Sequence, residues 1–289
     1  MKLVMTLVVR DEADILRENI EFHLALGVDE FLVMDNLSVD WTPDIVREYE
    51  RAGVARLCHQ PVDDYSQGRW VTGLAARAVN ELRADWVINS DADEFWWTPG
   101  GSLKDALAQA DPQIVAVSAE RTNFVPRPES DAPFWRRMNV RHSVSFNLLG
   151  QPIPPKVAHR GRGDITVADG NHSVRVAGAS TLAAPSSVTI LHFPLRTREQ
   201  FRNKIVLGGA ALARNTEVDG GVGSTWRQMY DRHLLGELDA VYDAECRSEA
   251  ELARGLACGE LVRDTRLIET LERTRLGGQP NGEARSRVQ

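Results

Sequence analysis

Short apolar runs alternate with amphipathic segments through the first half of the chain. The apolar runs predict strands at 2–9, 30–34, 54–59 and 86–89. Between them, apolar residues recur at helical spacing over 11–26, 43–52 and 70–83. This rhythm of strand and helix is typical of an α/β fold, with a mostly parallel sheet flanked by helices.

The second half of the chain has a different pattern. Short strand-like pieces at 114–119, 157–159 and 165–167 lie among proline- and arginine-rich loops, and a last strand is predicted at 188–193. From about 197 to 275 the pattern is helical, with a predicted mobile glycine-rich loop at 219–223. We therefore predict a sheet domain over 1–195, a helical C-terminal region over 196–276 and a disordered tail over 277–289.

The composition and charge of the chain limit the classes of partner that we expect. The 289 residues are 43% hydrophobic and carry a formal net charge of -7, which argues against a nucleic-acid partner. The three cysteines form no CxxC pair, and no apolar run approaches the roughly 18 residues of a membrane span. We expect a cytoplasmic protein. The helical region is expected to shape a substrate site or a contact between copies in a homo-oligomer.

Polar residues follow the ends of three predicted strands: Arg10-Asp11-Glu12, Asp35-Asn36, and Ser90-Asp91-Ala92-Asp93. Ligands of parallel sheets collect at the carboxyl ends of the strands, so we expect these side chains to meet at one edge. The alternate acids Asp91 and Asp93 suit a hard divalent cation, Mn²⁺ or Mg²⁺, completed by substrate phosphates. Another interpretation of such a D-x-D segment is a solvated turn.

The order and spacing of these three motifs resemble the family 2 glycosyltransferases, and more narrowly a bacterial branch with a D-x-D-E-F motif, here Asp91 to Phe95. The resemblance covers roughly residues 1–210 and implies a GT-A (Rossmann-like) fold. It implies that Arg10, Asp11 and Glu12 line the nucleotide pocket and that Asp35 and Asn36 contact base or ribose. It further implies that Asp91 and Asp93 hold metal and diphosphate, and that His192 completes the metal shell. Asn36-Leu37 departs from the family pattern, in which glycine follows the polar residue.

Further positions outside the three motifs are candidates for chemistry. Gln67 is expected to bond the nucleotide, and Lys156 or Arg160 to pair with a phosphate. Among the acids Asp164, Glu120 and Glu94 we choose Asp164 as the general base of an inverting transfer. Trp96 and Trp97 are interpreted as sugar-stacking or as core residues.

The hypothesis from the sequence is a metal-dependent glycosyltransferase of the hexosyltransferase type. It would move a sugar from a nucleoside diphosphate sugar to a hydroxyl of a soluble acceptor, either a small molecule or an oligosaccharide. One alternative is a nucleotidyltransferase, although residues 10–14 lack the glycine- and lysine-rich phosphate loop expected there. Another alternative is a non-catalytic nucleotide-sugar binding protein of the same fold.

Overall fold

The computed structural model of the protein describes residues 1–216 and 222–276. The predicted tail at 277–289 and residues 219–221 of the predicted glycine-rich loop lie outside the described residues. The strands are β1 (Leu3–Val9), β2 (Glu30–Asp35), β3 (Ala55–His59), β4 (Trp86–Ser90), β5 (Glu94–Trp97), β6 (Ala116–Asn123), β7 (Val140–His142), β8 (Lys156–Arg160), β9 (Ile165–Val167), β10 (Val174–Val176), β11 (Ala179–Thr181), β12 (Ala184–His192) and β13 (Leu261–Arg263). The helices are α1 (Leu16–Ala25), α2 (Thr42–Arg51), α3 (Gln67–Asn80), α4 (Leu103–Ala108), α5 (Phe134–Arg137), α6 (Arg198–Arg214), α7 (Ser224–Leu234), α8 (Leu238–Glu245), α9 (Glu249–Cys258) and α10 (Arg266–Arg275).

Eight strands form the central sheet, in the order β3-β2-β1-β4-β8-β6-β12-β5. The first four are parallel. β8 runs antiparallel to both β4 and β6, β12 is parallel to β6, and β5 is antiparallel to β12 at the edge. The predicted α/β class, with helices flanking a large sheet and a helical C-terminal part, is confirmed.

Alternating side chains of the central strands bury two separate cores. Met5 and Leu7 of β1 face the α1 side and pack with Ile20 and Phe22. Val4 of β1 lies on the opposite face, in the cluster that includes Leu74 of α3. Because fully burying such a side chain contributes roughly 1.5–3 kcal/mol, helices on both faces stabilise the apolar strands.

The D-x-D-E-F segment folds differently from a plain strand–helix connection. Asp91 to Asp93 form a tight turn, and the next four residues form β5, which the sequence pattern did not predict. β5 pairs with β12 so that Glu94 lies opposite His192. The pairing of β5 with β12 therefore brings the acids and the distant histidine to one edge of the sheet.

Several helices begin or end at residues other than those predicted from the sequence. The first helix begins at Leu16 rather than at residue 11, because Asp11 adopts a left-handed φ of 53° that a helix does not allow. The third helix begins earlier than predicted, at Gln67. The predicted helical run from 197 to 275 contains the short strand β13.

Helices α6 and α7 pack closely because two consecutive glycines of α6 have no side chains that would keep α7 away. A Cβ on Gly208 would meet the Trp226 ring at 2.2 Å, and one on Gly209 would meet Tyr230 at 2.5 Å. Within the two described stretches of chain, no helix is both long and apolar enough to cross a membrane.

Candidate active site

The acidic turn between β4 and β5 is fixed by hydrogen bonds to its backbone. The buried Asn19 amide donates to the carbonyls of Ala92 and Glu94, both at 2.9 Å. The N–H of Phe193 donates to the Asp93 carbonyl at 2.9 Å. The carboxylates of Asp91 and Asp93 are thus presented at the carboxyl end of β4 from a rigid base.

A lysine from a distant segment pairs with each acid of the D-x-D motif. Lys156 of β8 places Nζ 2.6 Å from Asp91 Oδ2 and 3.2 Å from Glu94 Oε1. Lys204 of α6 donates to Asp93 Oδ2. Burial raises the pKa of both aspartates, yet Lys156 holds the pKa of Asp91 below its ordinary value and Lys204 holds that of Asp93 well below it. Both acids are therefore ionised at neutral pH.

Glu12 joins this cluster through the buried Arg196, whose Nη2 lies 2.5 Å from Glu12 Oε2. The same guanidinium contacts Asp14 at 2.6 Å. Since Arg196 follows β12 and Glu12 follows β1, this ion pair ties the N-terminal motif to the strand that carries His192.

His192 is oriented by a hydrogen bond to Asn123. Its Nδ1 lies 2.7 Å from Asn123 Oδ1, and the Asn123 amide nitrogen donates to the Phe146 carbonyl at 2.9 Å. With the amide oriented in this way, Nδ1 carries a proton and donates it to Asn123. Nε2, on the other side of the ring, lies 3.7 Å from Asp93 Oδ1.

The Asp93 carboxylate and the unprotonated form of His192 Nε2 are both groups that bind divalent cations. The described residues contain no group of three or more His, Cys, Asp or Glu side chains assembled to hold a metal ion. Mg²⁺-type sites, however, take one or two carboxylates and complete their shell with substrate phosphates. The donor chemistry of Asp93 and His192, with Asp91 adjacent, fits a divalent cation that arrives together with a phosphate ligand.

These side chains open into a cavity of about 1060 Å³. Of the residues predicted from the sequence, the following line it: Arg10, Asp11, Glu12, Asn36, Gln67, Asp91, Asp93, Lys156 and His192. Gln67 donates to Asp91 Oδ1 at 3.2 Å. Arg10 pairs with Asp63 at 2.6 Å, and Asp11 accepts from the Val39 N–H at 2.7 Å.

Asp35 lies beside the cavity rather than in its lining. Its side chain is almost fully buried, with Oδ2 3.6 Å from His59 Nδ1, and Oδ1 has no hydrogen-bond partner. A buried carboxylate oxygen without a partner is costly, and this one is closed off from the cavity. Asn36, in contrast, is used internally: its amide donates to the carbonyls of Gln60 and Val62.

Asp164 is not brought to the site. It is an exposed residue before β9 that forms a two-point ion pair with Arg162 at 2.9 and 2.8 Å, and it is not among the residues that line the cavity. The choice of Asp164 as general base therefore fails on geometry. Trp96 is a core residue whose indole N–H donates to Ser90, and Trp97 packs under Arg266. Neither lines the cavity.

Residues that the sequence analysis missed complete the cavity. Lys204 is the most important, and Tyr65 and Trp226 form a tilted ring pair 5.7 Å apart on the cavity wall. The signal in the sequence that could have found Lys204 was helical spacing. Most of the α6 residues that line the cavity recur at intervals of three or four; the full set is Gln200, Phe201, Asn203, Lys204, Ile205, Leu207, Gly208 and Ala211.

Two of the six described non-glycine residues with left-handed backbone line the cavity. These are Asp11 and Tyr65, with φ of 53° and 54°, and a third, Leu37, with φ of 64°, follows the cavity residue Asn36. Strain of this kind costs energy and is typical of functional sites. A glycine would adopt the conformation of Leu37 without strain.

Fold and cavity together define an α/β protein with a charge-balanced acidic centre at the carboxyl edge of its sheet. No family model matches the chain, and no curated protein matches it. Among solved structures, S. aureus TarS 1-349 is similar at 14% identity and a TM-score of 0.43, over 98% of this chain and 93% of that one. Its complex with UDP-GlcNAc gives 14% and 0.42 over the same shares. A 4-diphosphocytidyl-2C-methyl-D-erythritol synthase gives 14% and 0.32, over 56% of this chain and 76% of that one. These TM-scores are below 0.5 and therefore support no argument about function.

Proposed function

We propose that the protein is a glycosyltransferase that moves a sugar from a nucleoside diphosphate sugar to a hydroxyl of an acceptor molecule. The observation that supports this most is the pair of acids Asp91 and Asp93, each contacted by a lysine, at the mouth of a large cavity. Such a centre matches a ligand that brings both negative phosphates and a cation.

In this proposal each residue has a defined task. Asp35, which lies beside the cavity, would contact base or ribose after a local movement that uncovers its unpartnered oxygen. Asp91, Asp93 and His192 hold a divalent cation, Mn²⁺ or Mg²⁺, which when bound would neutralise charge on the departing diphosphate. Lys156 holds Asp91 and Glu94 in place through its two ion pairs.

Thermal unfolding with UDP, GDP, CDP and dTDP, each with and without Mn²⁺, tests the donor site. A ligand that binds only the folded state raises its stability by mass action, about 2.7 kcal/mol at one hundred times Kd. We expect one nucleotide to shift the midpoint, and Mn²⁺ to increase that shift. If no nucleotide shifts the midpoint, the proposed donor site is wrong. Release of diphosphate from a nucleoside triphosphate would favour a nucleotidyltransferase instead.

Asp93→Asn provides the matching perturbation. It keeps the shape of the side chain but removes the charge that faces His192 and Lys204, so we expect at least about a hundredfold loss of transfer with an unchanged fold. Asp164→Asn, an equivalent change outside the cavity, is expected to keep full transfer. Equal activity in Asp93→Asn and the parent protein would contradict the proposal.

A further inference from the structure

Lys204 binds the same aspartate that a divalent cation would need. Its Nζ donates to Asp93 Oδ2, is 4.0 Å from Glu12 Oε1, and is 5.7 Å from the centre of the Trp226 ring. Two carboxylates and an aromatic face all favour a positive charge at this point. The ammonium group therefore compensates the charge of Asp93 through Oδ2, next to the Oδ1 that faces His192.

Each buried carboxylate of the cluster already contacts a cation. Glu12 contacts Arg196, Asp91 contacts Lys156, and Asp93 contacts Lys204. Glu94 contacts both Lys156 and Arg121 at 3.2 Å. A divalent cation that entered the ligand-free site would thus meet carboxylates whose charge is already compensated, and it would be repelled by the ammonium group on Asp93.

Lys204 also has a route away from Asp93. A lysine carries its charge on a flexible four-carbon stem with rotatable bonds. Its side chain retains 23% exposure and lines the cavity. A phosphate in the cavity therefore lies within the space that this ammonium group can explore without movement of α6.

We infer that Lys204 is a built-in counter-cation, which holds Asp93 in the ligand-free protein and excludes a lone divalent cation until a diphosphate arrives. The second half of this inference rests on the proposed function. The arriving diphosphate supplies negative charge, and the Lys204 ammonium group moves from Asp93 to the diphosphate. Asp93 is then free to bind the divalent cation. Cation binding and nucleotide binding are then positively coupled, and the coupling runs through one side chain.

The decisive experiment is titration of Mn²⁺ into the protein without nucleotide, with free Mn²⁺ followed by electron paramagnetic resonance. We expect Lys204→Met to bind Mn²⁺ more tightly than the parent, on the order of 10- to 100-fold. Lys204→Arg, which keeps the charge, should bind as weakly as the parent. Arg202→Met is the matched control, because Arg202 lies on the same helix but pairs with Asp239 outside the cavity. Lys204→Gln, which can still hydrogen-bond Asp93, replaces the methionine variant if that one does not fold.

Equal Mn²⁺ affinity in the parent and the neutral variants would overturn the inference. A repeat with each nucleoside diphosphate measures the coupling: the parent should gain Mn²⁺ affinity, and the neutral variants should gain less. If no nucleotide binds to any protein, the proposed function fails, while the Mn²⁺ titration still decides the role of Lys204.

Discussion

Lys156→Met removes the cation beneath the acid turn and keeps the length of the side chain. Lys156 is 1% exposed, and its Nζ lies 2.6 Å from Asp91 and 3.2 Å from the fully buried Glu94. Removing one partner from a buried ion pair costs about 3–5 kcal/mol, because the remaining charge is left uncompensated. Here Glu94 keeps Arg121 and Asp91 is 30% exposed, so we expect the lower end, about 3 kcal/mol. That is a large part of a typical stability of about 5–15 kcal/mol.

Urea denaturation followed by tryptophan fluorescence measures this loss. With a slope of about 3 kcal/mol per molar urea, the midpoint should fall by about 1 M. Adding Glu94→Gln to Lys156→Met should recover at least about 1 kcal/mol, since it removes the buried charge that lost its partner. Lys104→Met, which breaks an exposed pair with Asp29, is the control and should cost less than about 1 kcal/mol. A loss below 1 kcal/mol in Lys156→Met, or further destabilisation by Glu94→Gln, would refute the reasoning.

Two further perturbations test the fold around the site. Burial lowers the pKa of His23 to about 3 and that of His159 to about 4, so both stay neutral in the folded protein while the unfolded chain takes up their protons below about pH 6.5. Each of these two histidines therefore lowers the stability as the pH decreases, by up to about 1.4 kcal/mol per pH unit between about pH 6 and 4.5, and His23→Gln should reduce the slope by about that amount in urea titrations at each pH. Gly161→Ala should cost about 2–3 kcal/mol in thermal unfolding, because its Cβ would lie 1.8 Å from the Ala84 carbonyl oxygen. Gly163→Ala, whose nearest contact is at 4.0 Å, should be within about 0.5 kcal/mol of the parent, and equal losses in both would contradict the steric argument.

The central strands could be predicted because burial on both faces leaves a continuous apolar run in the sequence. β1 and β4 are such strands, and their predicted and observed bounds differ by one residue. β5 could not be predicted in this way. Its four residues follow directly on the acids, and their strand conformation depends on pairing with β12, almost one hundred residues later. Local periodicity carries no information about such a partner.

The acids of the site were predictable and their partners were not. Strand ends in a parallel sheet converge, so the position of Asp91 and Asp93 followed from the order of elements. Lys204 lies 111 residues from Asp93, on a helix whose apolar spacing shows that one face is buried but not what that face meets. Asp164 was chosen among three acids without a sequence motif to support it, and in the structure it forms a local pair with Arg162 on the surface.

The two lysines change what the acidic motif implies. Taken alone, two aspartates at a strand end describe a negative site that attracts metal ions. With Lys156 on one aspartate and Lys204 on the other, the ligand-free site has little charge left to attract them. Both lysines line the cavity but differ in exposure: the Lys156 side chain is 1% exposed, whereas that of Lys204 is 23% exposed. Lys156 is thus suited to a fixed structural charge and Lys204 to an exchangeable one, so replacing the first should mainly change stability and replacing the second should mainly change cation affinity.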